Sequence, residues 1–449
     1  MSGPSDRGRV FRYLGFDVDP GKRQLTCDYA LDDRRFQETV LFPGGGDWDA
    51  PAVAEAARLV FLLAGISYYK TAAPPVIDLG DFAVTDIERD FLRSFYVDGL
   101  GEFAYRSDRL SWSDLHDLQI TGPSADRTPV AYRPAPGRPL VPFGGGIDSI
   151  TTVDLVASRT ADAALFILNR PGDRFEAIER PAAITGLPVV RAERILDDQV
   201  LRSRELGFFN GHVPVTGILS SIAVMAAILD GRDAVVMSNE WSSSSPTVEV
   251  DGYAVNHQYS KSMSFETDLR RYLAGTIGEG LAYFSALRPF TELQIAQRFA
   301  QLTDYLGTFR SCNRAFHIDS ALRLDYWCGE CDKCCFIDLI LAPFLGEPAL
   351  RAIFHGREPL ADPALTGKFE TLAGQSLDTK PWECVGDVTE CQAAVLLASE
   401  RHDRTGNRIL TTLAGRLRDL NIQPPIEELM SPVGTHFIPR RYATDDLLV

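Results

Sequence analysis

Three consecutive glycines followed by an acid and a hydroxyl, Gly144-Gly145-Gly146-Ile147-Asp148-Ser149, form the chemically most pointed stretch of this chain. An apolar run, Leu140 to Phe143, enters the turn and an amphipathic run, Ile150 to Ala157, leaves it, so the spacing predicts strand, glycine turn and helix. With no side chains in the way, backbone N–H groups and the helix dipole converge on one anion. Asp148 and Ser149 are expected to cap the helix, and a carboxylate at such a turn can hold a metal ion. No lysine followed by Ser or Thr closes the turn, so it is not a Walker A loop.

A second constellation is Cys328-x2-Cys331-x2-Cys334 with Cys312 upstream. Four thiolates at this spacing suit tetrahedral zinc, with an iron–sulfur cluster the less favoured occupant and an unmetallated cysteine-rich turn the plain alternative. Cys334 and Cys335 cannot easily share one ion, so one of them is spare. Groups able to move protons or meet a substrate gather in three further stretches. Ser67 to Ala73 carries Tyr69 and Lys70, although locally it reads as an ordinary connection. Glu240 to Glu266 is a long polar and aromatic loop with Trp241, Tyr253, His257, Tyr259, Lys261 and Ser262, and its length favours substrate binding. Lys380 to Gly386 holds Cys384, for which burial as a small hydrophobe is the commoner use. Arg170, Lys261 and Arg288 are cations that could meet negative groups.

The elements that must position these groups alternate strand and helix from Pro139 onward. Strands are expected at Ala163 to Leu168, Pro188 to Arg191, Ala234 to Met237 and Leu281 to Leu287, with helices at Glu176 to Thr185 and Thr216 to Leu229. That rhythm implies a parallel sheet covered on both faces, with ligands beyond the carboxyl ends of its strands. The glycine turn, Asn169, Asn239 and Glu240 all fall there. The chain divides into an α+β region (1–133), the sheet domain with its cysteines (134–345) and a mostly helical region (346–449), in which Gly367 to Leu372 has no clear pattern. A hairpin at Phe11 to Tyr29 and helices at Ala50 to Leu63 and Asp86 to Val97 build the first region, and a linker with five prolines, Gly122 to Pro139, ends it.

Composition sets outer bounds. The formal net charge of -16 opposes nonspecific binding to nucleic acid. No apolar run reaches membrane-spanning length and the N-terminus lacks a signal-peptide h-region, so a cytoplasmic protein with a small-molecule substrate is expected. No sequence feature points to a particular oligomeric state.

The glycine turn resembles the PP-loop of ATP pyrophosphatases, SGGxDS, with Gly144 where that motif usually has Ser. The resemblance implies an adenine nucleotide alpha hydrolase-like α/β fold. It also implies ATP held by Gly144, Gly145, Gly146, Asp148, Ser149 and Asn169, with Asp148 at Mg²⁺. Together with the cysteines, it is similar to the 7-cyano-7-deazaguanine synthase branch, but the lysine usual in the helix after the last strand is missing from Phe290-Thr291-Glu292-Leu293. The segments LAGISYYKTAAPP, FGGGIDS, VNHQYSKSMSFE, WCGECDKC and KPWECVG together resemble the UDP-N-acetyl-α-D-muramoyl-L-alanyl-L-glutamate epimerase family along nearly the whole chain. That likeness implies ATP- and Mg²⁺-dependent inversion of the terminal L-Glu of a UDP-MurNAc dipeptide through an acyl-adenylate, in peptidoglycan precursor synthesis. Lys70, Tyr69, His257, Lys261 and Cys384 are the candidates for acid/base work, Cys384 by analogy with the cysteine pair of cofactor-free glutamate racemases, and Tyr69, Asn239, Glu240, Tyr259 and Ser262 are those for substrate binding. The alternative is a PP-loop carboxylate-activating ligase or nitrile synthase acting on a nucleobase.

Overall fold

The structure, a computed structural model, describes residues 7–250, 252–317, 320–376 and 381–443. Its strands are β1 (Phe11–Asp19), β2 (Gln24–Leu31), β3 (Arg34–Leu41), β4 (Val76–Asp78), β5 (Gln119–Thr121), β6 (Pro139–Pro142), β7 (Ala164–Asn169), β8 (Val189–Ile195), β9 (Ala234–Met237), β10 (Val248–Val250), β11 (Tyr253–Val255) and β12 (Ala282–Ser285). Ten of them form one sheet in the order β12-β9-β6-β7-β8-β3-β2-β1-β4-β5, and β10 with β11 makes a separate hairpin. The half from β12 to β8 is parallel throughout. The protein is therefore mixed α/β with a large, mostly parallel sheet.

Both faces of the parallel half are buried, as the βαβ rhythm requires. Along β7, Ala164 and Phe166 enter one hydrophobic core while Leu165 and Ile167 enter the other. β9 alternates likewise, with Val235 and Met237 on one side and Ala234 and Val236 on the other. The apolar helices Pro51–Ala64 and Val215–Leu229 cover the first face. Helices Ile147–Ala157, Glu292–Phe299 and Asp332–Leu341 share the second core with the C-terminal helices Val388–Ser399 and Arg408–Asp419. Thr366–Leu372, indistinct in sequence, is a helix of that same layer, anchored by Phe369 and Leu372.

The sheet does not stop between the first region and the second. β3 pairs antiparallel with β8 from Thr39↔Ile195 to Leu41↔Glu193. Beside this seam the fully buried Glu38 accepts hydrogen bonds from Arg194 Nε (2.7 Å), Arg194 Nη2 (2.9 Å) and Tyr68 Oη (2.9 Å). Arg194 also donates to Ser67 Oγ at 3.0 Å.

One sequence expectation is revised. Pro51–Tyr69, helical except for a turn at Gly65, holds an 18-residue window of mean hydropathy 1.4, long and apolar enough to cross a membrane. The window is 94% buried inside the fold, so here it is a core helix, and glycine at position 65 lets it pack against Tyr13.

Candidate active site

A cavity of about 630 Å³ opens at the carboxyl ends of the parallel strands, where β6 runs into the glycine turn and β9 into Ser238 and Asn239. The turn requires glycine at its centre. Gly145 has φ +74, and a Cβ there would lie 2.2 Å from the Ala177 carbonyl oxygen. Gly146 is the N-cap of helix Ile147–Ala157 and no side chain caps it. The expected capping by Asp148 and Ser149 is thus absent, because Ser149 Oγ turns back to the Gly146 carbonyl at 3.2 Å and Asp148 faces the cavity. The opening N–H groups stay available to an anion.

Residues Arg310 and Ser311 brace the turn from a distant part of the chain, with the Arg310 backbone N–H donating to Gly145 O at 3.1 Å. The Arg310 guanidinium lines the cavity, is buried, and leaves Nε and Nη1 without a partner. Ser311 Oγ and Ser238 Oγ are likewise buried, unpartnered and in the wall. Buried polar atoms are seldom left unpaired, so this concentration of donors marks a place for a polar ligand. A polyphosphate suits it.

Carboxylates gather next to these donors. Burial and the neighbouring Glu240 carboxylate push Asp148 up to about 6, against the pull of Lys333 and Lys261. Burial and Asp148 raise Glu292 well above the carboxylate range, and burial raises Glu390 to about 7. Such crowding of carboxylates suits a cation. Lys261 and Lys333 line the cavity from other elements.

Cys384 stands in the same wall with three partners. Lys261 Nζ donates to its Sγ at 3.2 Å, the His257 ring hydrogen-bonds the thiol, and Lys333 Nζ donates to its carbonyl. Burial opposes ionisation of Cys384, but Lys261, His257 and Lys333 outweigh it and bring the thiol down to about 6. Burial also opposes charge on His257, yet its bonds to Cys384 and Glu102 raise it to about 9. His257 Nδ1 lies 2.5 Å from Glu102 Oε2, and Glu102 is buried on helix Gly101–Tyr105. The adjacent His212, its ring 4.6 Å from that of His257, is pushed down to about 4 by burial and by His257. At neutral pH this describes a thiolate beside an imidazolium and an ammonium, with a carboxylate orienting the imidazolium.

Two supports hold these groups. Arg288, buried and ion-paired to Glu266 at 3.0 Å, donates to the carbonyls of Glu240 (2.9 Å) and Lys261 (2.6 Å). It fastens both ends of the 240–261 loop, and the β10–β11 hairpin lies within that loop. The cysteine cluster supports the other side. Cys312 to Cys331 is 3.8 Å between sulfurs, and Cys328 to Cys334 and Cys331 to Cys334 are each 3.5 Å. Thiolates on one tetrahedral zinc at ~2.3 Å lie about 3.8 Å apart, so the four sulfurs fit a single ion, whereas a cluster spreads them over several irons. Cys335 is the spare thiol, buried and pushed up to about 12. From the cluster, Asn313 Nδ2 reaches Glu383 Oε1 at 2.9 Å and Lys333 reaches Cys384, so the cysteines carry the loop that presents the thiol.

The remaining expected site residues are dispersed. Asn239 lines the cavity, and Asn169 ends β7 at the same edge with its amide nitrogen unpartnered. Glu240 is buried and acts on Asp148. Lys70 donates to the Gly211 carbonyl at 3.1 Å and so steadies the segment bearing His212. Tyr69 is buried with its hydroxyl on Pro74 O, Tyr259 packs on Phe265, and Ser262 caps helix Met263–Thr276, so these three stand outside the cavity wall. Lys380 lies outside the described residues. Sequence reasoning missed Glu102, His212, Arg310 and Lys333. Lys333 was within reach as the cation inside the cysteine motif, but Glu102 and His212 carry no local pattern.

The family description "MurL N-terminal domain" matches residues 4–286 and "MurL C-terminal domain" matches residues 308–425. All strands described above lie in the first and the cysteine cluster in the second. A UDP-N-acetyl-alpha-D-muramoyl-L-alanyl-L-glutamate epimerase of Xanthomonas oryzae pv. oryzae is 35% identical over 447 residues, covering 96% of this chain and 95% of its own. Proteins of the same name from Salinispora tropica (34%, covering 97% and 94%) and Micromonospora sp. (33%, covering 97% and 97%) are similar along nearly their whole lengths.

Proposed function

The chain belongs to the MurL family, and from that premise we propose that it inverts the terminal L-Glu of UDP-N-acetyl-α-D-muramoyl-L-alanyl-L-glutamate to D-Glu in an ATP-dependent reaction. The observation that carries the reading is one cavity lined both by the glycine turn and by Cys384, whose thiol Lys261 Nζ meets at 3.2 Å. The two halves of the chemistry need each other. The α-hydrogen of a carboxylate is a very weak acid, because its loss sets a second negative charge beside the first. Adenylation removes the first charge and leaves an electron-withdrawing acyl group, so a general base can take the proton.

In this reading the PP-loop residues Gly144, Gly145 and Gly146, with the N–H groups that open the following helix and the side chain of Arg310, hold the pyrophosphate end of ATP. Ser149, Ser238, Asn239 and Asn169 face its remainder. Asp148 would hold Mg²⁺, whose charge would offset that of the departing pyrophosphate. Cys384, as thiolate, takes the α-proton, a proton returned to the opposite face inverts the centre, and water then hydrolyses the acyl-adenylate to AMP and the free glutamate carboxylate. Lys261 stabilises negative charge at the acyl centre, and His257, held by Glu102, keeps the thiol ionised. Cys312, Cys328, Cys331 and Cys334 would hold zinc, which would fix the 382–384 loop. Eight cysteines without a disulfide among the described residues suit a reducing, cytoplasmic setting.

The test is incubation with UDP-MurNAc-L-Ala-L-Glu, ATP and Mg²⁺ in heavy water. D-Glu, deuterium at the α-carbon, AMP and pyrophosphate are expected together, and none without ATP. ADP and phosphate in their place would refute adenylation. Exchange without ATP would refute the link between the glycine turn and the thiol, and no D-Glu under any condition would refute the epimerase reading.

A further inference from the structure

Inversion at one carbon needs two proton-carrying groups, one for each face, and Cys384 accounts for only one of them. Among the described residues that line the cavity, the other side chains able to carry a proton are Asp148, His212, His257, Lys261, Lys333 and Glu383. His257 and Lys261 bond the thiol itself, and Lys333 donates to the Cys384 carbonyl, so all three stand with the thiol. Asp148 stands in the first turn of the helix that follows the glycine turn, away from the acyl end in the reading above. His212, pushed down to about 4 by burial and by His257, is neutral at pH 7 and is no acid there. Glu383 remains.

Its setting differs from that of the thiol beside it. The Val385 N–H donates to the Glu383 carbonyl at 2.8 Å, closing a three-residue turn with Cys384 at its centre. From this turn the two side chains leave for different supports. Cys384 Sγ meets Lys261 Nζ at 3.2 Å on the 240–261 loop, whereas Glu383 Oε1 accepts from Asn313 Nδ2 at 2.9 Å beside the cysteine cluster. Both residues nevertheless line the one cavity. Glu383 Oε2 is buried and has no partner among the described residues, and buried polar atoms seldom lack one. Burial and the nearby Asp332 push this carboxyl above the usual carboxylate range, against the pull of Lys333, which favours the form that carries a proton.

We propose that Glu383 is the acid that returns a proton to the glutamate α-carbon on the face opposite Cys384. The assignment deepens the epimerase reading and rests on it. The Cys384 thiolate takes the α-proton to form S–H, and the C–H electron pair passes into the activated acyl group. The Glu383 O–H bond then breaks as a C–H bond forms on the other face, leaving a carboxylate. The thiol gives its proton to water and the carboxylate takes one up, so the cycle closes with no net change in protons. Asn313 holds Oε1 and leaves Oε2 for the transfer.

The experiment follows two processes in heavy water with UDP-MurNAc-L-Ala-L-Glu, ATP and Mg²⁺: entry of deuterium at the α-carbon of the remaining L-Glu, and formation of D-Glu. Glu383→Gln keeps the shape and an acceptor for Asn313, and its D-Glu formation is expected to fall at least ~100-fold, as for loss of a positioned acid. Deuterium should still enter L-Glu, because the thiolate still takes the proton and gives back a solvent one on the same face. General loosening of the fold would lower both processes together. Equal loss of exchange and inversion would therefore overturn the proposal, and so would undiminished D-Glu. Glu383→Asp, with the acid kept on a shorter stem, should invert faster than Glu383→Gln, and inversion no faster would also overturn it. A parent protein that yields no D-Glu overturns the epimerase reading and the assignment with it, whereas an inverting parent with an equally inverting Glu383→Gln overturns the assignment alone.

Discussion

Two buried charge networks in this protein look alike in composition and differ in completeness. At the β3–β8 seam, Glu38 is enclosed by Arg194 and Tyr68, and Arg194 also reaches Ser67, so the seam carboxylate has both its oxygens engaged. At the cavity, Glu102, His257, Lys261 and Cys384 are also linked in series, but they end on a thiol at an open space, across from Arg310, Ser311 and Ser238 with unpartnered atoms. The first network is closed and can only hold the sheet together. The second is pre-charged and unfinished, which is what a site that stabilises a passing charge requires. Burial of charge by itself does not mark the active site.

Breaking each network should therefore fail differently. The largest effect is expected from Cys384→Ser, which keeps the shape but removes the ionised sulfur. Epimerisation should fall by about 10³-fold, equivalent to about 4 kcal/mol of barrier. Unfolding temperature should stay close to that of the parent, measured in parallel with α-proton exchange. A variant with near-parental exchange would remove Cys384 from the chemistry. Glu38→Gln should do the reverse. It leaves the Arg194 guanidinium without a counter-charge at the seam, at a cost of about 3 kcal/mol of stability. Turnover per folded molecule should hold. Denaturant unfolding and active-site-normalised rates separate the two, and lost turnover at unchanged stability would erase the distinction drawn here.

That distinction was only partly legible in the sequence. The glycine turn and the cysteine motif could be read because their chemistry is contiguous, and both came out at the strand ends or on the loop that serves them. LAGISYYK, in contrast, was marked by family likeness but its core is structural: Ser67 and Tyr68 serve the seam, Tyr69 is buried, and only Lys70 touches a segment of the site. The thiol's partners could not be read, because Glu102 and His257 meet only once the first region's short helix packs against the 240–261 loop. The β10–β11 hairpin was missed although Val248-Glu249-Val250-Asp251-Gly252 carries an Asp-Gly turn signal, and Gly252 has φ +82. Asp251 itself lies outside the described residues.

A smaller effect tests whether the second network depends on its support. About one zinc ion per chain is expected by elemental analysis, and Cys331→Ser should lose it. Activity should then drop roughly 10- to 100-fold, the usual consequence of loosening a supporting shell, because Asn313 and Lys333 no longer fix Glu383 and Cys384. Metal content unchanged in Cys331→Ser, or none in the parent, would discard the four-thiolate site.

The smallest effect is also the most diagnostic, because it is a shift and not a loss. With Cys384 at about 6 and His257 at about 9, kcat/KM should rise with pH as the thiol ionises near 6 and fall as the imidazolium deprotonates near 9. The raised value of His257 depends in part on Glu102, whose carboxylate lies 2.5 Å from Nδ1. Glu102→Gln keeps a hydrogen-bond partner but removes the charge, so the imidazolium should give up its proton at lower pH, moving the alkaline limb down by ~1 unit. The acidic limb should move less, because the leading favourable influence on Cys384 is the Lys261 ammonium, which the substitution leaves in place. The rate should therefore change least at neutral pH and most between pH 8 and 9. A Glu102 that merely props the fold would lower the profile evenly, and an unmoved alkaline limb would detach it from the thiol network.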